Sequence, residues 1–238
     1  MLKIENLTIR FGGLVAVNNA SFDVGSHEIV GLVGPNGAGK TTLFNAVSGI
    51  VKPSEGDVTF QGQSLKNQAL HKVARLGIGR TFQIPQPMHE LTVRENLIVA
   101  QRFGAGKVDE VHLNKVLEFM NLKDKEHAQA ATDLALTELK ALEVAKALMT
   151  KPKMLLLDEV LAGLEVKGKQ YFMNLIHSLH KELNIGILII EHDIETIMKI
   201  CSRACVLDFG QVIANDTPEV VFQNPDVIRS YTGGDDYA

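Results

Sequence analysis

A glycine-rich run near the N-terminus has the residue types and the spacing that bind the phosphates of a nucleotide. It matches the pattern G-x-x-x-x-G-K-[ST] and continues into a second threonine: Gly34, Pro35, Asn36, Gly37, Ala38, Gly39, Lys40, Thr41 and Thr42. Glycines let the backbone wrap around a phosphate with its N–H groups pointing inward. Lys40 would reach the β- and γ-phosphates, and the Thr41 hydroxyl would bind Mg²⁺. The run predicts a site for a nucleoside triphosphate.

Two adjacent acids, Asp158 and Glu159, follow the apolar run 154–157. An apolar strand would deliver Asp158 to the metal ion. Glu159 would then be placed to polarise an attacking water, because water is a weak nucleophile and needs a base. The guanine-reading motif N-K-x-D of GTPases does not occur in the sequence. The two motifs together predict hydrolysis of a nucleoside triphosphate.

The elements that position these residues are short strands that are apolar on both faces. Residues 29–33 precede the glycine-rich run, 154–157 precede the acid pair, and 185–190 form a third such segment. Strands buried on both faces are typical of the centre of a parallel sheet. Apolar residues recur at helical spacing over 167–183, which predicts the connecting helix of a βα unit.

Two regions differ from this parallel core. Alternating apolar residues at the N-terminus and the turn at 61–62 predict an antiparallel β part. The stretch 85–133 is rich in Glu, Lys, Asn and Gln and predicts an inserted helical subdomain. We therefore expect an α/β fold in which a P-loop NTPase core has a central, mainly parallel sheet, beside an antiparallel β subdomain and a helical subdomain. The expected organisation is a single domain, 1–238, with its core in 1–84 and 134–238.

The composition excludes several classes of protein. The chain has 24 Lys and Arg against 28 Asp and Glu, a formal charge of −4, so no basic surface for nucleic acid is expected. Apolar residues make up 45% and charged residues 22%, close to globular averages, which excludes a disordered or fibrous chain. Cys201 and Cys205 lack zinc or thioredoxin spacing and predict buried thiols in a reducing compartment.

In their order along the chain, the motifs resemble the nucleotide-binding subunit of an ABC transporter over essentially all 238 residues. Gln83 follows 78–82 where that family has its Q-loop glutamine, and His192 follows an apolar strand where the family has its switch histidine. The resemblance implies that Gln83 binds the metal and relays to the membrane subunit, and that His192 contacts the γ-phosphate. Phe11 corresponds to the aromatic residue that stacks on adenine, and Val17 would flank the ribose or base.

The resemblance also implies the cofactors and the catalytic set. ATP and Mg²⁺ are the expected cofactors, and the expected ligands of the metal are Thr41, Gln83 and Asp158. The residues expected to act in catalysis are Glu159, His192, Gln83 and Lys40.

Within the family, residues 11–17, 79–83 and 91–97 resemble the ATP-binding subunits of branched-chain amino-acid importers. The resemblance implies a peripheral location on the cytoplasmic face of the membrane. It implies permease subunits as partners, bound through 83–130, and indirectly a substrate-binding protein. Subunits for lipopolysaccharide export and urea import share parts of these motifs and stay open as alternatives. So does a non-transport ABC protein, for example a regulatory cassette, although Glu159 and His192 argue against a degenerate one.

The signature loop, L-S-G-G-Q in the family, is the main departure from this pattern. Its spacing aligns it with Leu134, Ala135, Leu136, Thr137 and Glu138. Ala135 lacks the serine hydroxyl, and Leu136 and Thr137 stand at the two glycine positions. An alignment shifted by two residues would instead place Leu136 and Thr137 at the leucine and serine positions. Since the family pairs each P-loop with the signature loop of a second subunit, a homodimer would carry this defect twice. The sequence therefore favours a heterodimer with a different cassette over a homodimer.

Overall fold

The structure of the chain, a computed structural model, describes residues 1–232 and confirms the expected α/β fold. Residues 233–238 of the expected domain lie outside this part. In chain order the strands are β1 (Leu2–Phe11), β2 (Leu14–Val24), β3 (Ile29–Val33), β4 (Glu55–Phe60), β5 (Gln63–Ser64), β6 (Ile78–Arg80), β7 (Met154–Asp158), β8 (Gly186–Ile190), β9 (Arg203–Asp208) and β10 (Gln211–Asp216). The helices are α1 (Lys40–Val47), α2 (Leu70–Leu76), α3 (Val93–Ala105), α4 (Glu110–Phe119), α5 (Leu136–Leu148), α6 (Val166–Leu183), α7 (Ile194–Ile200), α8 (Pro218–Val221) and α9 (Pro225–Thr232).

The described residues form two compact units, Met1–Leu70 with the residues from Gly186 onward, and His71–Ile185. In the first unit, β3 pairs in parallel with β8 on one side and β9 on the other. Every residue of β3 and β8 is buried, as the continuous apolar runs predict. Because β3 runs directly into the glycine-rich segment, this core fixes the place where the phosphate-binding loop begins.

The first unit also contains the antiparallel sheet expected from the N-terminal alternation. Its strand order is β2-β1-β4-β5, and β1 pairs antiparallel with both β2 and β4. The sheet buries one face, formed by Leu2, Ile4, Leu7 and Ile9 of β1. The register between β1 and β2 shifts three times. Such irregularities bend a strand.

In the second unit, β6 and β7 pair in parallel, and β7 is buried along its whole length. Helices α3 and α4 lie inside the stretch 85–133, where helices are expected. Helix α6 ends at Asn184, which takes the left-handed conformation expected of a helix stop. The expected boundaries at 84/85 and 133/134 differ from the division between the two units, and they stay a prediction. Among residues 1–232, no helix combines the length and the apolar character that crossing a membrane requires.

Candidate functional site

The phosphate-binding loop, residues 34–41 (the P-loop), is held by contacts that only glycine permits. Helix α1 begins at Lys40, directly after Gly39, whose φ is 101°. A Cβ at Gly39 would stand 2.3 Å from the Ala16 carbonyl oxygen. A Cβ at Gly34 would stand 2.0 Å from the Leu207 carbonyl oxygen. The loop therefore packs backbone against backbone, and the N–H groups at the start of α1 face an anion-binding position.

Lys40 is nearly buried, with 6% of the residue exposed. Its ammonium donates to the carbonyl oxygens of Gly34 at 2.7 Å and Pro35 at 2.9 Å. These bonds place the positive charge at the entrance of the loop. Thr41, the next residue, is exposed, so its hydroxyl is accessible at the first turn of α1. The loop thus offers backbone donors, one ammonium and one hydroxyl, a set that suits a nucleoside triphosphate.

The turn between β9 and β10 supports the P-loop, although the sequence analysis gave this turn no role. Gly210, between β9 and β10, donates its N–H to the Ala38 carbonyl at 3.0 Å and accepts from the Asn18 N–H at 2.8 Å. It therefore links the P-loop to β2. The turn at 208–211 is recognisable in the sequence, but its contact with Ala38 joins residues far apart along the chain.

Other expected nucleotide contacts of the first unit differ in exposure. Phe11, at the end of β1, is 49% exposed, which leaves its ring available for stacking on a base. Val17 is fully buried and packs behind the P-loop, where its Cγ2 would lie 3.4 Å from a Cβ at Gly39. His192 is exposed just after β8, and Asp193 caps helix α7 by accepting from the Glu195 N–H. The expected switch histidine, His192, is thus exposed and lies directly before the N-cap of α7.

In the second unit, the Asp158 carboxylate ends β7 and is paired with a buried arginine. Asp158 is 2% exposed, and its Oδ2 lies 3.3 Å from the Arg80 guanidinium. Burial lowers the pKa of Arg80, and the charge of Asp158 opposes that effect. Thr81 adds a second contact, because its Oγ1 accepts from the Asp158 N–H at 3.1 Å. The sequence reasoning did not predict this pairing of Arg80 with Asp158.

Two hydrogen bonds hold Glu159, one at its carboxylate and one at its backbone carbonyl. The Gln83 side-chain amide donates to the Glu159 carboxylate at 2.7 Å, so the structure brings together two residues that the sequence assigned separately. The Lys140 ammonium donates to the Glu159 backbone carbonyl at 2.8 Å. The φ of Glu159 is 49°, a left-handed conformation that is uncommon for a residue with a side chain. Such backbone geometry marks candidate functional positions.

The segment aligned with the signature loop forms the start of α5. Ala135 is the N-cap, so the register that places Ala135 at the serine position puts that position at the helix N-terminus. Alanine has no acceptor, and the Glu138 carboxylate instead accepts from the Ala135 N–H at 2.8 Å. Burial raises the pKa of Glu138. The Lys125 ammonium at 2.7 Å and the Ala135 N–H together outweigh that effect, so the net shift of the pKa is downward. The carboxylate is turned back onto its own helix and neutralised by Lys125.

Side-chain oxygens of the expected metal ligands are of a type that binds Mg²⁺ beside nucleotide phosphates. Within the described chain, no group of three or more His, Cys, Asp and Glu side chains could hold a metal alone. Mg²⁺ in phosphate-transfer sites is bound by one or two protein oxygens, with the remaining ligands coming from phosphate and water. In the second unit, the Asp158 carboxylate and the Gln83 amide oxygen are hard oxygen donors of this kind. The first unit by itself offers the Thr41 hydroxyl.

Comparisons with known proteins agree with these geometries. The sequence pattern of the ABC transporter family matches residues 17–162. The high-affinity branched-chain amino acid transport ATP-binding protein LivG of Salmonella typhimurium is 40% identical over an alignment of 249 positions, which covers 98% of each chain. The lipopolysaccharide export system ATP-binding protein LptB of Haemophilus influenzae is 33% identical over 98% of this chain and 97% of its own.

A solved structure extends the agreement to the fold. The ADP conformation of MJ1267, an ATP-binding cassette of an ABC transporter, superposes with a TM-score of 0.88 at 31% identity, covering 98% of this chain and 99% of that one. Motifs, fold and full-length relatives together show that this chain belongs to the ABC transporter family of ATP-hydrolysing cassettes.

Proposed function

We propose that this chain is the ATP-binding and ATP-hydrolysing subunit of an importer for branched-chain or related amino acids. The observation that carries the proposal is the P-loop, supported by full-length similarity to LivG. In this role the chain would sit on the cytoplasmic face of the membrane and bind permease subunits through 83–130. A substrate-binding protein would deliver the amino acid to the permease.

Each part of the proposed reaction has its own residues. The P-loop binds the triphosphate, with Lys40 on the β- and γ-phosphates and the Phe11 ring on adenine. Asp158, with Thr41 and Gln83, would hold Mg²⁺, which spreads the charge of the phosphates when it is bound. Glu159 takes the proton of the attacking water, and His192 contacts the γ-phosphate.

The Gln83–Glu159 hydrogen bond supports the assignment of the base. The Gln83 amide donates to the Glu159 carboxylate, and this bond fixes the orientation of the carboxylate. Lys140 holds the same residue at its backbone carbonyl. The Glu159 side chain would therefore be oriented before ATP binds, so less free energy is needed to reorient it during the reaction.

We also propose that the active assembly contains two different cassettes. Ala135 cannot supply a hydroxyl to the partner's ATP, and the Glu138 carboxylate occupies the Ala135 N–H that would otherwise face the phosphate. A heterodimer confines this defect to one of its two ATP sites. Disabling the catalytic glutamate of each subunit in turn should cause unequal losses of ATPase activity in the reconstituted complex. Equal losses, or full activity of this chain as a homodimer, would contradict the heterodimer.

Transport tests the proposed substrate class. Cells that lack this chain should lose uptake of radiolabelled leucine, and the wild-type chain should restore it while Lys40→Ala should not. The matched control is Lys199→Met, which removes an exposed lysine that has no role in the proposed site and should restore uptake fully. Unchanged leucine uptake in cells without the chain would refute the amino-acid assignment.

Similarity to LptB makes lipopolysaccharide export the second candidate. If this chain drives lipopolysaccharide export, cells that lack it should show normal leucine uptake and less lipopolysaccharide at the cell surface. Loss of urea uptake alone would identify the third transporter class.

A further inference from the structure

Helix α5 carries three ionisable residues at intervals of three, Lys140, Glu143 and Lys146, which we name the α5 charge row. Lys140 and Glu143 are each only 5% exposed, and the Lys146 side chain is 17% exposed. Residues three apart lie on the same face of a helix. Charges in such a place are costly unless they are paired and hydrogen-bonded. The hydrogen-bond partners of the row therefore indicate what these buried charges hold in place.

Two members of the row hold both backbone groups of one residue, Gln86. The Glu143 carboxylate accepts from the Gln86 N–H at 2.9 Å. The Lys146 ammonium donates to the Gln86 carbonyl oxygen at 2.7 Å and to the same Glu143 oxygen at 2.6 Å. The ion pair thus closes a ring around a single residue.

The chain around Gln86 is stiff. Gln86 lies between Pro85 and Pro87, which have fixed φ angles and no N–H groups. Its N–H is therefore the one backbone donor of residues 85–87. Gln83 is three residues earlier, and its side chain donates to Glu159. A displacement of α5 that moves Gln86 would be passed along this stiff segment to Gln83.

The third member of the row reaches Glu159 directly. The Lys140 ammonium donates to the Glu159 carbonyl at 2.8 Å, at the residue with the left-handed backbone. The α5 charge row therefore contacts the residue that follows β7 and, at the same time, the segment that follows Gln83. Helix α5 itself begins at the aligned signature position, Ala135.

We propose that the α5 charge row couples the two ATP sites of the assembled dimer. The proposal rests on the proposed function, in which the start of α5 faces the ATP held by the partner cassette. Engagement of that end by the partner's nucleotide shifts α5. The row then transmits the shift to Gln83 and Glu159 of this chain's own site. Lys140, Glu143 and Lys146 are positioning residues, since they act through Glu159 and Gln86 and touch no reacting atom.

The test compares Glu143→Gln, Lys146→Met and their double variant in the assembled transporter. A lost hydrogen bond to a charged group lowers a rate by roughly ten- to hundredfold when it acts at the transition state. Because the row acts through Gln86 and Glu159, we expect a loss in kcat at the low end of that range, about tenfold. The ATP KM should stay within about threefold of wild type, and the Hill coefficient for ATP should fall towards one. Because both residues hold Gln86, the double variant should lose no more than the worse single variant. Lys146→Arg keeps the charge and the donor and should retain cooperativity.

Hydrogen exchange at Gln86 gives a readout that does not depend on activity. In the full chain, the Gln86 amide should exchange at least tenfold faster in Glu143→Gln and Lys146→Met. Lys199→Met breaks an exposed ion pair of the same 2.6 Å length, with Glu195, and should leave both exchange and kinetics unchanged. The neighbouring prolines contribute no amides, so peptides spanning 85–87 report Gln86 alone within that range.

The outcomes separate this proposal from the proposed function. Variants with wild-type cooperativity and wild-type Gln86 exchange would overturn the coupling role of the row. A lower melting temperature with an unchanged Hill coefficient would also overturn it, because it would reveal a purely structural role. A wild-type assembly that binds ATP without hydrolysing it would instead refute the proposed function.

Discussion

Gly39→Ala tests whether the P-loop depends on backbone contacts that exclude a side chain. A residue with a Cβ in the left-handed region costs about 1–2 kcal/mol. In addition, the new Cβ would stand 2.3 Å from the Ala16 carbonyl oxygen, well inside the 3.0 Å that real Cβ contacts respect. Overpacking of this kind typically costs about 1–3 kcal/mol more. We expect a total loss of about 2–5 kcal/mol in the free energy of unfolding, a large share of the ~5–15 kcal/mol of a typical domain.

The matched control is Gly37→Ala in the same loop. Gly37 also has a positive φ, 82°, but a Cβ there would meet nothing within 4 Å. It should therefore lose only the conformational part, about 1–2 kcal/mol. Urea unfolding of the full chain without nucleotide, followed by circular dichroism, separates the two variants. Equal losses would refute the argument that contact with Ala16 makes Gly39 necessary.

Three further predictions concern charge and hydrogen bonding. Lys40→Ala should abolish tight ATP binding by removing the ammonium nearest the phosphates, and an affinity within threefold of wild type in a titration would contradict the P-loop assignment. Ala135→Ser should raise hydrolysis at the partner's P-loop by roughly ten- to hundredfold, measured with this chain's own Glu159 disabled, because it restores a hydroxyl at the N-cap of α5. The pKa of Asp109 is lowered from 3.8 to about 2, chiefly by its hydrogen bond to Lys151. Lys151→Met should therefore lower the free energy of unfolding above about pH 4, the difference from wild type should vanish as the pH falls towards 2, and a difference independent of pH would refute this reasoning.

Local patterns allowed the sequence to predict the parallel core and the P-loop. Strand β3 is a continuous apolar run, and the loop that follows it has its glycines at fixed spacing. The end of α6 at Asn184 was predictable for the same reason, because a left-handed helix stop is a property of one residue. Periodicity and turn chemistry act over a few residues, and a single sequence contains them in full.

Contacts between distant segments were not predictable in this way. Arg80 reads as one basic residue in a strand, and only the structure shows that its guanidinium pairs with Asp158. The sequence gives Lys140 no role, and only the structure shows that it is 5% exposed and bound to Glu159. The burial of Val17 likewise depends on how β2 packs behind the P-loop. These features depend on pairings 19 to 78 residues apart in sequence, which neither composition nor spacing encodes.

The most direct test of the central claim is a single-turnover measurement on the assembled complex with Glu159→Gln. The complex is loaded with radiolabelled ATP and Mg²⁺, and the bound nucleotide is identified after one wild-type turnover time. Since glutamine keeps the shape of the side chain but cannot take the proton of water, the variant should bind ATP as wild type does. It should retain that nucleotide as ATP, with hydrolysis at this chain's site slowed more than tenfold, whereas wild type should hold ADP. Near-normal conversion to ADP at that site in the variant would contradict the claim that Glu159 is the base of an ATP-hydrolysing cassette.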